Sequence, residues 1–154
     1  MKFLIILTFF LTSALISQEL KIKANQFSAD EKTGISIFKG EVNIIKANDE
    51  LNASEVTVYT DKKHQPTKFI AEGNVSFNIE TKKGSQYKGK AGKVIYMPIL
   101  KEYHFFRDVH LKQIDERKEI IGEEVVLKTI EGKAYAKGAK KEPVIMIFKM
   151  VEEE

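Results

Sequence analysis

The chain has 154 residues, no cysteine, and 25 basic against 22 acidic side chains, for a formal net charge of +3. The absence of cysteine excludes disulfides, thiol catalysis, cysteine-ligated zinc and lipoprotein acylation at a cysteine. So small a charge, spread along the chain, gives no argument for nucleic acid, and 43% hydrophobic with 31% charged residues describes a folded domain.

Residues 1–17 read as a secretory signal. One lysine precedes an apolar run from Phe3 to Ile16, and small residues lead into the polar Gln18-Glu19. Cleavage is expected near Ser17, with Ala14 as the other option. The run is shorter than the roughly 20 residues that cross a bilayer as a helix. An uncleaved membrane anchor is the alternative reading. An exported chain without cysteine fits the periplasm of a bacterium with two membranes, and residues 18–154 form one domain.

From Leu20 onward apolar residues alternate, with no stretch of helical periodicity capped at both ends. Polar turns separate the alternating runs. The first, Asp30 to Gly34, has Gly34 to supply a positive φ. Others follow at Lys46 to Glu50, Asp61 to Pro66, Lys82 to Ser85, Met97-Pro98, Asp115 to Lys118 and Glu131-Gly132. This spacing predicts an all-β sandwich, jelly roll or barrel. Ala136 to Pro143 reads as a mobile basic loop before an apolar strand, Val144 to Phe148, and a charged tail, Glu152 to Glu154.

Two phrases interleave within these runs. Phe38-Lys-Gly-Glu-Val42-Asn-Ile44 returns as Ala71-Glu-Gly-Asn-Val75-Ser-Phe77 and, more loosely, as Phe105-Phe-Arg-Asp-Val109-His-Leu111. The two apolar residues ending each phrase fall on one strand face, because strand side chains alternate. The second phrase is Ala53-Ser-Glu-Val56-Thr-Val58, repeated as Ala91-Gly-Lys-Val94-Ile-Tyr96 and Gly122-Glu-Glu-Val125-Val-Leu127. Ala24-Asn-Gln-Phe27 is its N-terminal echo. A step of three breaks strand parity each time, which predicts a bulge or corner in the Ala-x-x-Val strands. The unit occurs about four times, the fourth copy being degenerate.

Candidate chemistry is thin. Gly84 to Ala91 imitates a phosphate-binding loop but lacks a Ser or Thr after Lys90 and leads into a strand. His64, His104 and His110 match no zinc spacing, and Asp108 near His110 has no nucleophile motif beside it. Neither catalysis, metal nor cofactor is expected. Asn52-Ala-Ser54 and Asn74-Val-Ser76, with Glu50 and Glu72 two places upstream, are glycosylation triplets lying beside or within predicted strands, and read as chance matches.

The apolar face carries the information. Phe38, Val42, Ile44, Val56, Val58 and Phe69 would line the inside of a curved sheet. So would Val75, Phe77, Ile79, Val94 and Tyr96, and then Phe105, Val109, Leu111, Val125 and Leu127. They form either a closed core or, in part, a groove open to an apolar ligand.

The alternation of Ala-x-x-Val corners with Phe-x-Gly-x-Val or Ala-Glu-Gly-Asn-Val strands resembles the OstA-like family of lipopolysaccharide transport proteins. The resemblance covers roughly Ile22 to Leu127, with Ala71 to Val75 its most specific piece. Arg107-Asp108 replaces the Gly-Glu or Gly-Asn of the other copies and leaves that strand's bend open. The resemblance implies an all-β, partly open antiparallel β-jelly roll, non-enzymatic and without cofactor. It implies a periplasmic bridge that carries lipopolysaccharide from inner to outer membrane with acyl chains in the apolar groove. It further implies head-to-tail self-association and strand addition to inner- and outer-membrane partners. The edges expected to serve are the N-terminal strand from Leu20 to Ser28, with Ile22, Ala24 and Phe27, and the C-terminal strand with Val144, Met146 and Phe148. A membrane-anchored relative, or an adaptor β-protein without lipid cargo, are the alternatives. Lys82, Lys83, Lys88 and Lys90 are read as rim lysines, meeting lipid phosphates or serving solubility alone. Phe77→Asp is expected to block lipid loading while leaving strand content largely intact.

Overall fold

The structure is a computed structural model and describes residues 19–152; the expected signal segment lies outside the described residues. Ten strands form one antiparallel sheet: β1 Leu20–Lys23, β2 Gln26–Asp30, β3 Ile35–Lys46, β4 Asp49–Thr60 and β5 Pro66–Glu80. They continue with β6 Gln86–Met97, β7 Glu102–Gln113, β8 Lys118–Lys128, β9 Lys133–Lys137 and β10 Ile145–Phe148. The pairing order is β1-β3-β4-β5-β6-β7-β8-β10, with β2 also on β3 and β9 also on β8. The turns fall where the polar breaks predict, and Gly34 takes φ 69°.

A line of bulges crosses every long strand and folds the sheet in two. In β3 the register jumps between Lys39 and Val42, in β5 between Glu72 and Val75, and in β7 between Phe106 and Val109. Each jump holds two residues opposite one on the neighbour. Both take positive φ: Gly40 and Glu41 at 81° and 45°, Gly73 and Asn74 at 85° and 45°, Arg107 and Asp108 at 64° and 49°. The extra residue therefore lies in the Gly-x-Val strands, not in the Ala-x-x-Val strands where the sequence pattern put the corner. Inward side chains run four apart there, from Ala71 to Val75, and three apart in the neighbours, from Ala53 to Val56 and Ala91 to Val94. The parity break is how the shorter strand keeps pace with the longer one. Arg107-Asp108 bends like the glycine copies, since both flanking strands are already bent at that row.

The fold makes two arms of eight strand segments each. The first arm holds β1, the C-terminal halves of β3, β5 and β7, the N-terminal halves of β4, β6 and β8, and β10. The second holds β2, the complementary halves, and β9. Their inner faces meet as the core, in which Val56, Val75, Phe105, Val109, Leu111, Val125 and Leu127 are inaccessible. Phe77 of the first arm lies 4.4 Å from Phe105 of the second, ring centre to ring centre. Complete burial of such side chains contributes roughly 1.5–3 kcal/mol each. This is the expected all-β, partly open β-jelly roll.

Two further expectations need correction. The N-terminal strand is two strands, broken at Ala24-Asn25, where the Asn25 amide donates to the carbonyls of Lys39 and Gly40 at the bend line. Ala136 and Lys137 belong not to a loop but to β9, opposite Val125 and Glu124.

Candidate functional site

The interior between the arms is the candidate site, and its two ends differ from its middle. Of the predicted groove residues, Val42, Val56, Val58, Val75, Phe77, Val109, Leu111, Val125 and Leu127 lie in the closed core. Ile79 and Val94 are core residues too, and with the partly buried Ile44 and Tyr96 they border a small apolar furrow beside Leu20, Leu51 and Phe69. Its volume is about 40 Å³, room for only a few water-sized groups at about 10–15 Å³ each.

The furrow reaches the edge strand β1, which supplies Leu20. Leu20, Ile22, Phe38 and Ile44 pack against the core but stay partly accessible. Phe27 pairs with Phe38 across the strands, on the same inward face, with its ring tilted against it at 5.0 Å, yet remains 63% exposed.

Polar contacts tie the arms at the mouth beside the furrow. Tyr103 Oη donates to Asp49 Oδ2 at 2.9 Å, and Lys46 Nζ donates to Tyr96 Oη at 3.2 Å. Tyr96 and Tyr103 stack at 4.4 Å. The Lys82 amide donates to the Thr129 carbonyl at 3.1 Å, joining the tips of the two arms. Burial raises the Asp49 carboxyl above its ordinary range, against the Glu80 amide and Tyr103 hydroxyl that stabilise its anion. Burial and the neighbouring Asp49 push the Tyr103 phenol well up.

A second opening lies at the β9/β10 edge. Lys83, Ser85, Tyr87, Gln113, Ile120, Ala134, Ala136 and Met146 are among the residues around a recess of about 340 Å³ there. Gln113 is 4% exposed, and its buried Oε1 has no hydrogen-bond partner. Sequence reading missed this residue; its only signal was a polar side chain two places after Leu111, on the inward parity.

The four rim lysines separate. Lys82 and Lys83 sit at the arm tip, whereas Lys88 and Lys90 border a recess on the outer face with Asn52, Asn78 and His110, away from the interior. Two of the histidines contact carboxylates through Nε2: His104 with Glu102 at 3.1 Å and His110 with Glu119 at 3.3 Å. His110 and Lys112 hold the Glu119 carboxyl below its usual range. Among the described residues no cluster of three or more metal-ligating side chains occurs, and no helix is long and apolar enough to cross a membrane.

Among the described residues no strand pairs with the outer sides of the two sheet edges. Ile22 lies on β1, Ala24 at the break, Phe27 on β2, and Met146 and Phe148 on β10, while Val144 packs on the core just before β10. Met146 and Phe148 are 43% and 61% exposed. Seven antiparallel pairings separate β1 from β10, so the two edges run in opposite directions.

The profile of a family described as the LptA/(LptD N-terminal domain) LPS transport protein matches residues 21–133. Among solved structures the chain is similar to LptH from Pseudomonas aeruginosa, the LptA-homologous periplasmic component of the lipopolysaccharide transport device. That likeness has a TM-score of 0.76 at 16% identity and covers 86% of this chain and 96% of that one. No curated protein matches the sequence.

Proposed function

The chain belongs to the LptA/LptD N-terminal-domain family of LPS transport proteins, and on that premise we propose that it binds lipopolysaccharide in the periplasm and passes it between the membranes. The observation that carries this reading is the bent open sheet, with an apolar inner face that stays accessible at both edges. Acyl chains enter between the arms while the sugar head stays in water. The middle of the interior is filled, so loading requires the arms to part around the bend, starting from the furrow at Ile44 and Tyr96.

Energetics favour partial enclosure. Burying one methylene is worth about 0.8 kcal/mol, so roughly ten enclosed methylenes give about 8 kcal/mol, near micromolar affinity. Full enclosure of several long chains would hold cargo too tightly to pass it on. The chain acts as a non-enzymatic carrier, and direction comes from a partner.

Head-to-tail stacking extends the groove. Because β1 and β10 run oppositely, as do β2 and β9, one copy's β10 edge placed on the next copy's β1 edge continues an antiparallel sheet in both arms. The same edges serve inner- and outer-membrane partners. Titration with the apolar fluorophore N-phenyl-1-naphthylamine tests the reading: saturable binding displaced by lipopolysaccharide is expected, and fluorescence that never saturates or is not displaced would overturn it.

A further inference from the structure

Gln113 is anomalous among the inward side chains. Apart from Thr81, it is the one buried polar or charged side chain among the described residues, and Thr81 is satisfied by the Ser85 amide at 3.1 Å. Its buried Oε1 has no partner. An orphaned acceptor of this kind destabilises a core, and an apolar side chain of similar shape would remove the penalty. It stands at the C-terminal end of β7, beside the recess of about 340 Å³ at the β9/β10 edge.

The recess is amphipathic in a particular order. Ile120, Ala134, Ala136 and Met146 line it with apolar surface, Gln113 and Tyr87 stand in its wall, Glu116 and Lys118 pair with each other at its rim, and Lys83 lies at the arm tip. A plain hydrocarbon would satisfy the apolar wall and leave the carboxamide orphaned. A chain with one hydrogen-bond donor near its head would satisfy both, with its anionic head toward Lys83.

We infer that the β9/β10 end of the interior is a subsite for the head-proximal part of an acyl chain bearing a hydroxyl group, read by the Gln113 carboxamide. This rests on the lipid-carrying reading above and deepens it: cargo is distinguished by a polar substituent on the chain as well as by its length. The N-terminal furrow, with no orphaned acceptor, takes plain hydrocarbon.

The test compares lauric acid with 3-hydroxylauric acid, below their micelle concentrations, on the purified protein by calorimetry. The two share chain and carboxylate, so only the hydroxyl differs. The hydroxylated acid is expected to bind about fivefold tighter, the worth of one net hydrogen bond. In Gln113→Leu that preference vanishes while lauric acid binds as before, and the thermal midpoint of the free protein rises by about 5 °C. Gln113→Met, unbranched, repeats the test should leucine distort the strand. Equal binding of the two acids by the wild type, or a preference that survives both substitutions, overturns the subsite and leaves the carrier reading standing. A fall in midpoint for both variants overturns it too, since Gln113 would then be a structural residue. Failure of both acids to bind removes the interior groove itself, and this inference with it.

Discussion

Tyr103 donates its hydroxyl to Asp49 across the mouth of the bent sheet, at 2.9 Å, from one arm to the other. The same carboxylate accepts the Glu80 amide through its other oxygen, at 2.9 Å. Asp49 thus holds its own arm's hairpin and the facing arm at once, over the apolar furrow. Any opening that admits an acyl chain at this end must break the Tyr103 bond.

Removing the hydroxyl tests the tether. Tyr103→Phe leaves one oxygen of a half-buried carboxylate short of a donor and is predicted to lower stability by about 1–2 kcal/mol at neutral pH. It is also predicted to speed uptake of an apolar probe, measured by stopped-flow fluorescence. Slower uptake would contradict a tether that restrains the mouth.

The pH dependence follows from the direction of the Asp49 shift. Its folded carboxyl is raised, so the neutral form is favoured by folding. That contribution is complete below the ordinary carboxylate value and is lost as pH rises through the raised one. Asp49→Asn does not titrate, and its stability is predicted to gain on the wild type as pH rises from about 3 to 7. Denaturant midpoints across that range measure the difference. The raised Tyr103 phenol has the same sign: its contribution is lost once pH passes the ordinary tyrosine range and climbs toward the folded value, so Tyr103→Phe flattens alkaline unfolding.

At the bend, Gly73 takes φ 85°, and a Cβ there would lie 2.7 Å from the Ser54 Cβ and Oγ. Gly73→Ala is predicted to destabilise by about 2 kcal/mol, from the left-handed conformation together with the contact. Adding Ser54→Gly relieves the contact and not the backbone strain. The double variant should therefore recover only part of the loss in urea titrations.

Burial changes what Phe77 can report. At 3% exposure and packed against Phe105, it belongs to the core, so Phe77→Asp places a charge there and is predicted to unfold much of the domain, not merely to block loading. Ile44, partly accessible beside the furrow, is the better probe. Ile44→Gln is predicted to cost about 1 kcal/mol of stability and to weaken probe binding about tenfold, measured by fluorescence titration.

The C-terminal edge offers an independent prediction. Met146→Lys with Phe148→Lys places charge on exposed positions of β10 and is predicted to shift any concentration-dependent assembly to monomer with secondary structure unchanged. Sedimentation velocity over a concentration series reads the outcome.

The alternation of apolar residues was enough to show an all-β chain, its turns and its inward face, because a half-buried strand writes its period into the sequence. Val75, Phe77, Val109 and Leu111 were legible for that reason. The location of the bend was not. Ala53 to Val56 announces a parity break, but the extra residue sits on the partner strand, and only glycine signals a positive φ in advance. Arg107 and Asp108 adopt that conformation because their neighbours bend, a tertiary constraint invisible at their own positions. Ala136 and Lys137, the end of β9, read as loop because Lys133 to Lys137 is exposed throughout and has no buried face to set a pattern. Asp49, Tyr103, Lys46 and Tyr96 come from three separate strands and the end of a fourth, so no local spacing links them.

Photo-crosslinking in cells producing the chain tests the central claim most directly, because Ile44 and Ile45 are neighbours on opposite faces of β3. Ile44 packs toward the interior beside the furrow, and Ile45 points outward at 37% exposure. A photoreactive residue at 44 is predicted to form lipopolysaccharide adducts, and one at 45 to form few or none. Equal adducts from both positions, or none from 44, would contradict a cargo held between the arms.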